Sequence, residues 1–395
     1  MTDSTVIRAD DLRGRVRDFL AEHPVDAPDP TVFLGARFDA GLAWIDRPVG
    51  RGGLGAAKQL QSLVESLFKE AGATPLDDMR NVIGIGMGGP VLLAYGTPEQ
   101  QDRHLRPLWT GEEVFCQLFS EPGAGSDLAN VAASAVRDGD GWRVNGQKVW
   151  TTLAHTSRWG LLLARTDPSL PKHQGITYFL CDMTSEGVDV RPLRQLTGEA
   201  EFNEVFLTDV HVPDTQRIGD VGQGWAVATT TLSNERLRMS GDPQPRDSGV
   251  IGHVLEAWRD GPRDPGLERD VVDLWVEAES VRLLGARLAQ LATAGTPGPE
   301  GSGLKLRFSE FQQRATSVWM DVLGPDALLY QDWTMRRPTT DELGHRTAGQ
   351  AYLRTRANTV EGGTSQIMRN IISERILGLP AEARADAGPW KDVPR

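Results

Sequence analysis

Near residue 116 the hydrophobic pattern of this chain changes period, and near residue 224 it changes back. Before the first change, Leu12, Val16, Phe19 and Leu20 recur at helical spacing, and residues 56–71 form a second amphipathic stretch. The Gly- and Met-rich run 81–93 suits a tightly packed buried helix, because small residues permit close approach. Thr97-Pro98-Glu99-Gln100 reads as a helix start, with Thr97 as N-cap and Pro98 at the first helical position. Between the two changes the pattern is strand-like. Residues 142–150 read as strand, Asn145-Gly146 turn, strand, and further strands are expected over 159–165, 176–182, 188–193 and 203–212. After the second change Trp225, Val227, Ala228, Leu232 and Leu237 fall in a helical window. The stretches 241–246 and 261–265 are breakers, 295–303 is expected to be a loop, and helices are expected over 270–291, 304–323 and 347–377.

This order predicts an α+β fold, mostly α, in three domains: a helical one over residues 1–115, a small β barrel or sandwich over 116–218, and a helical one over 219–395. The 395 residues exceed what one compact core accommodates. With 54 acidic against 42 basic residues the net charge is -12, which argues against nucleic acid and against an anionic membrane surface as partners. No apolar run is long enough to span a bilayer, and residues 1–22 lack the apolar core of a signal peptide. Cys116 and Cys181 alone make no disulfide framework, so a reducing, cytoplasmic setting is expected. The seven histidines show no ligand spacing, and no metal is expected.

Two segments carry chemistry. The first is Phe119-Ser120-Glu121-Pro122-Gly123-Ala124-Gly125-Ser126-Asp127, followed by Lys148-Val149-Trp150-Thr151-Thr152. A turn of small residues at a strand end offers N–H groups and hydroxyls to a planar heteroaromatic ring or an anion. An indole beside hydroxyls, as at Trp150, suits a flat ring. Taken singly, the bland readings are a Pro-Gly loop and a core tryptophan. The second segment is Glu361-Gly362-Gly363-Thr364-Ser365-Gln366, running into Arg369-Asn370-Ile371-Ile372-Ser373-Glu374-Arg375.

In this order and separation the segments resemble the acyl-CoA dehydrogenase family of flavoenzymes, over about residues 10–380. The resemblance implies a helical domain, a β-barrel and a C-terminal four-helix bundle. It implies FAD, with Gln117, Leu118, Phe119 and Ser120 along the pyrimidine edge, Trp150, Thr151 and Thr152 beside the ring, and Thr364 and Gln366 also reaching the cofactor. Ser126 would lie at the thioester substrate; Arg236, next to a candidate base, is a further substrate contact or a solvated side chain. It further implies α,β-dehydrogenation of an acyl-CoA, electron-transfer flavoprotein as electron acceptor, and a homo-oligomer, either dimer or tetramer. Two family features are missing. No Arg-x-x-Phe-Gly segment occurs, its place being taken by the Gly/Pro/Asp-rich stretch 241–265. Instead of a late Gln followed by Gly-Gly, the chain has Asp321-Val322-Leu323-Gly324-Pro325. These departures resemble a bacterial branch, often degrading steroids or lipids, whose members also pair as heteromers.

Abstraction of an α-proton needs a carboxylate. Many members use the Glu of Tyr-Glu-Gly-Thr, two residues before the Thr. Here Gly362 holds that place, and Glu361 lies three before Thr364. Isovaleryl-CoA and long-chain acyl-CoA dehydrogenases carry their base on an earlier helix in a Glu-Arg-Leu, which resembles Glu235-Arg236-Leu237. Glu235 is the favoured base and Glu361 the alternative. Without the resemblance, Glu235 is a helix-surface ion-pairing residue and Glu361 a carboxylate favoured at a helix N-terminus. The basic run Arg191-Pro192-Leu193-Arg194 is a CoA-phosphate candidate or a solvated strand end. Three alternatives stay open: a related flavin oxidase or monooxygenase, a dehydrogenase of acyl carrier protein thioesters, and a non-catalytic partner subunit.

Overall fold

The computed structural model describes residues 7–25, 29–73, 81–239, 245–294, 298–330, 332–337, 346–382 and 386–393, with backbone alone for 236–239 and 292–294. The chain divides into two compact units. One comprises Met1–Pro122, Val131–Val190 and Val205–Thr231, and the other Gly123–Asn130, Arg191–Glu204 and Leu232–Arg395.

The first unit opens with helices α1 (Ala9–Glu22), α2 (Pro30–Asp39) and α3 (Gln61–Glu70). The stripe Leu12, Val16 and Phe19 is buried with Phe33, Leu42, Ile45, Val64 and Phe68. Burial of each such side chain contributes about 1.5–3 kcal/mol. The Gly/Met run forms a π-helical turn, Gly84–Gly88, leading into α4 (Gly89–Tyr95). Helix α5 (Pro98–Thr110) starts at the expected cap. The Gln100 N–H donates to Thr97 Oγ1 at 3.3 Å, and Gln100 Oε1 accepts from the Thr97 N–H at 2.9 Å.

Eight strands follow: β1 (Phe115–Leu118), β2 (Ser134–Asp138), β3 (Gly141–Thr152), β4 (Trp159–Arg165), β5 (Ile176–Asp182), β6 (Val188–Pro192), β7 (Phe202–Pro213) and β8 (Arg217–Ile218). They form one sheet in the order β6-β7-β3-β2-β4-β5-β8, with β1 beside β4. Every residue of β4 is buried, as expected for a strand covered on both faces. Alternate residues of three strands (Leu162 and Ala164, Phe179 and Cys181, Val205 and Leu207) share one core. Both β1 and β2 run parallel to β4 along the same edge. Phe115–Leu118 pair with Trp159–Leu162, and Ser134 pairs with Arg165. Residues 119–133 are therefore extruded between two pairings on one strand.

The expected turn at Asn145-Gly146 does not form, and β3 runs straight through it. Asn145 pairs with Ser134, and its side chain exchanges hydrogen bonds with Asp209, amide to Oδ1 at 3.0 Å and Oδ1 from the backbone N–H at 2.9 Å. A Cβ on Gly146 would stand 2.5 Å from that of Ala133. The glycine there serves the close approach of the segment that leads into β2.

Helix α6 (Gly224–Met239) begins in the first unit and ends in the second. It is followed by α7 (Val250–Asp260), α8 (Pro265–Ala294), α9 (Gly301–Leu323), α10 (Ala348–Thr355) and α11 (Ser365–Ile371). Helix α9 packs against α7, α8, α10 and α11. The architecture is α+β and mostly helical. Two sequence expectations change here. The expected loop 295–303 ends early, because α9 starts at Gly301 and already buries Ser302. The expected helix 347–377 is broken by a turn over 356–364, in which Gly362 and Gly363 take φ of 61° and 99°. That left-handed backbone ends the run, and Thr364 caps the next helix by accepting from the Ile367 N–H at 3.1 Å. Of the 241–246 breaker, residues 241–244 lie outside the described residues. Among the described residues no helix is long and apolar enough to cross a membrane.

Candidate functional site

In the first unit, two of the sequence segments are tied into one structure by their backbones and by a buried ion pair. The Val149 N–H donates to the Ser120 carbonyl at 2.9 Å. Lys148 Nζ, wholly buried, donates to the Phe119 carbonyl at 3.1 Å, to the Leu163 carbonyl at 2.8 Å and to Glu121 Oε1 at 2.8 Å. The Glu121 carboxylate also accepts from the Ala132 and Ala133 N–H groups at 2.7 and 2.9 Å. Burial pulls the Lys148 ammonium below its usual range, and the Glu121 charge opposes this. Leu118 and Phe119 are buried in the core, so they have only backbone to offer a ligand.

Past Lys148 the strand ends in strained backbone. Trp150 and Leu153 both have positive φ, 61° and 55°, on either side of Thr151 and Thr152. The Trp150 ring is left 57% exposed, whereas Thr151 is buried and Thr152 half-buried. Gln117, on β1, has a buried amide Nε2 with no hydrogen-bond partner. An exposed indole on strained backbone and an unmatched buried N–H donor in the same unit fit a planar ring system with ring nitrogens and carbonyls. A flavin is one such ring system.

The candidate bases lie in the second unit, around the 356–364 turn. Glu235 Oε1 comes within 3.3 Å of where a Cβ would stand on Gly362. A carboxylate from α6 thus borders closely on the space that a side chain at position 362 would take. Glu361 points elsewhere. Both its oxygens take a fork of hydrogen bonds from Arg354 of α10, at 3.1 and 3.0 Å. Arg354 also donates to Glu201 at 2.8 Å. Burial works against the Arg354 charge, but Glu361 and Glu201 outweigh it and hold the guanidinium above its ordinary range. Lys305 of α9, 2% exposed, donates to the carbonyls of Asn358 and Gly363 and so braces both ends of the turn.

Ser126 and Gln366 are exposed, and the Thr364 oxygen serves as the cap of α11. The Arg236 side chain lies outside the described residues. Arg194 donates to the Trp333 carbonyl. Sequence reasoning passed over Lys148, Lys305 and Arg354. Strand alternation carried a signal for Lys148, since it falls on the core-facing positions of Trp142 and Val144. The other two act through partners that no local pattern reveals.

Comparison with known proteins identifies the family. Residues 116–210 match the model of the acyl-CoA dehydrogenase middle domain and residues 222–377 that of the acyl-CoA dehydrogenase C-terminal domain. The acyl-CoA dehydrogenase FadE34 of Mycobacterium tuberculosis is 41% identical over 84% of this chain, and the chain spans 44% of that relative's length. Acyl-CoA dehydrogenase IpdE1 of the same organism is 37% identical over 87% of this chain and 86% of its own. The structure of the ChsE4-ChsE5 complex from Mycobacterium tuberculosis superposes with a TM-score of 0.68 at 28% identity, covering 97% of this chain and 100% of that one. With both family models matched in order over most of its length, the chain belongs to the FAD-dependent acyl-CoA dehydrogenase family.

Proposed function

We propose that this chain is an acyl-CoA dehydrogenase that converts a saturated acyl thioester to the 2,3-enoyl thioester, with Glu235 as the base. The observation that carries this is the convergence of Glu235 on Gly362 while Arg354 holds both oxygens of Glu361. A Cα–H is a weak acid, and a positioned carboxylate speeds its removal by ~10²–10⁴-fold. Glu235 takes that proton on a carboxylate oxygen. When bound, FAD supplies the acceptor for the hydride that leaves Cβ. Gln117, the backbone of Leu118, Phe119 and Ser120, and Trp150, Thr151 and Thr152 would hold it, with Thr364 and Gln366 as further contacts. Ser126 and Arg236 are proposed substrate contacts. The three-part division at 115/116 and 218/219 is supported by the extents of the two family matches.

The electron acceptor in this reading is electron-transfer flavoprotein. The assembly is a homodimer or homotetramer, or a heteromer as in the two-component ChsE4-ChsE5 structure. Two buried free thiols, Cys116 and Cys181, suit a reducing, cytoplasmic setting. A second reading, a non-catalytic partner subunit, is favoured by one observation: the absent Arg-x-x-Phe-Gly segment.

The test is the visible spectrum of the purified protein before and after anaerobic addition of saturated acyl-CoAs and acyl carrier protein thioesters. Flavin that bleaches with one of them supports the proposal and names its carrier. A colourless protein that gains flavin only with a second chain supports the partner reading. Peroxide formed under air with substrate identifies an oxidase.

A further inference from the structure

The amino group of Lys305 is buried beside the proposed base and takes no direct part in the chemistry. It stands on the first turns of α9 and reaches the 356–364 turn from below, donating to Asn358 and Gly363 on either side of Glu361 and Gly362. Its Cε is 3.7 Å from the Cβ position of Gly362, the same point that Glu235 Oε1 approaches to 3.3 Å. The lysine stem and the Glu235 carboxylate therefore both approach one glycine.

We infer that Lys305 is the positioning residue of the base, clamping the turn against which Glu235 rests and favouring its carboxylate as the anion. This deepens the reading of Glu235 as base and rests on it. Three observations support it. Two backbone carbonyls alone do not neutralise a buried ammonium, and a charge at this depth is retained where an anion answers it. Burial lowers the pKa of Lys305, and Glu361 and Glu235 are the charges that act in the opposite direction. Of these two, Glu361 is already matched by the fork from Arg354. The charged groups gathered at this turn include Lys305 from α9, Glu235 from α6 and Glu361, with Arg354 of α10 on Glu361. Gly362 suits the arrangement, because its φ is 61° and a Cβ there would press on Glu235 Oε1 at 3.3 Å.

A nearby cation lowers a carboxylate pKa by about 1–3 units. Removing it should move the acid limb of flavin reduction to higher pH. The test compares Lys305→Gln, which keeps N–H donors without charge, with Lys305→Arg, which keeps the charge. Both are loaded with FAD and mixed anaerobically with octanoyl-CoA, or with whichever thioester in the panel reduces the native protein fastest. The expected result is an acid limb shifted up by about one pH unit for Lys305→Gln and unmoved for Lys305→Arg. A second readout needs no turnover: thermal melting of Lys305→Gln, Glu235→Gln and the double variant. The double variant should lose less in melting temperature than the two single losses combined.

An unmoved acid limb together with additive melting losses overturns the inference, even when Glu235→Gln abolishes reduction. Equal shifts in Lys305→Gln and Lys305→Arg also overturn it, since geometry and not charge is then responsible. Reduction that survives Glu235→Gln instead overturns the base reading itself.

Discussion

Lys148 Nζ lies 2.8 Å from Glu121 Oε1, and both side chains are buried. The pair joins the turn after β1 to the end of β3, the two segments that present Gln117 and Trp150. Neither residue needs to touch a ligand to matter. Lys148 holds the Phe119 carbonyl and Glu121 holds the N–H groups of Ala132 and Ala133, so the pair fixes the backbone around the proposed flavin edge.

Lys148→Met should therefore weaken both fold and cofactor retention. Breaking a buried pair from one side costs about 3–5 kcal/mol, because the remaining charge is left unmatched. Thermal melting should show a large loss for Lys148→Met and a smaller one for Lys148→Met combined with Glu121→Gln. A double variant no more stable than the single one contradicts this account.

Trp150 separates binding from folding. It is 57% exposed and its backbone is left-handed at φ 61°, so much of its side chain faces outward and its backbone carries some strain. Trp150→Gly should leave the melting temperature of the flavin-free protein unchanged or raised, while FAD is lost more readily on dialysis. A strongly destabilised variant would show the indole to be a core residue.

Glu235→Gln should slow flavin reduction by about 10²–10⁴-fold with flavin content intact. Glu361→Gln should retain most of the rate, because its role is to receive Arg354. Stopped-flow reduction of both variants distinguishes the two carboxylates, and the opposite pattern would assign the base to Glu361.

Gly362→Ala adds a methyl group at φ 61°, where an L-residue costs about 1–2 kcal/mol. The methyl would also stand 3.3 Å from Glu235 Oε1. The expected result is a modest drop in melting temperature with a disproportionate drop in reduction rate. Loss of stability without loss of rate would show that Glu235 does not depend on this contact.

Asp214 gives an acid-stability signature. It accepts from Arg217 Nε at 3.0 Å and from Trp142 Nε1 at 2.7 Å, with Arg137 3.1 Å away. The Arg217 hydrogen bonds lead in pulling its carboxyl from 3.8 to about 2. A depressed carboxylate contributes stability that is complete above its unfolded pKa and lost as pH falls toward its folded one. After allowance for solvent screening this is about 1 kcal/mol. Asp214→Asn should be less stable than the native protein at pH 7, and the difference should shrink between pH 4 and pH 2.

The strands were legible in the sequence because a half-buried strand alternates and a fully buried one is continuously apolar, as β4 is. Asn145-Gly146 misled because the dipeptide that favours a turn also serves where backbones crowd, and only Ala133, just before β2, decides between the two. The break at Gly362 and Gly363 was hidden between two helix-forming stretches, since the tertiary partners that stabilise the turn are remote. Lys305, for instance, lies 53 residues from Asn358. The candidate carboxylates could be named from the sequence. Which of them an arginine occupies could not, because the fork from Arg354 to Glu361 depends on how α10 ends.

The single edge of β4 shared by β1 and β2 has a consequence for how this region tolerates change. Both feet of the 119–133 excursion are anchored to one rigid strand, and Glu121 closes its neck by holding Ala132 and Ala133. Lengthening the excursion at its exposed residues 125–127 leaves strand register untouched and adds only a slowly growing closure entropy. In hydrogen exchange the amides of Ala132 and Ala133 should then be protected far longer than those at the tip. Fold and ligand contact are thereby divided along one excursion, the neck serving the sheet and the tip, with Ser126, serving the proposed substrate.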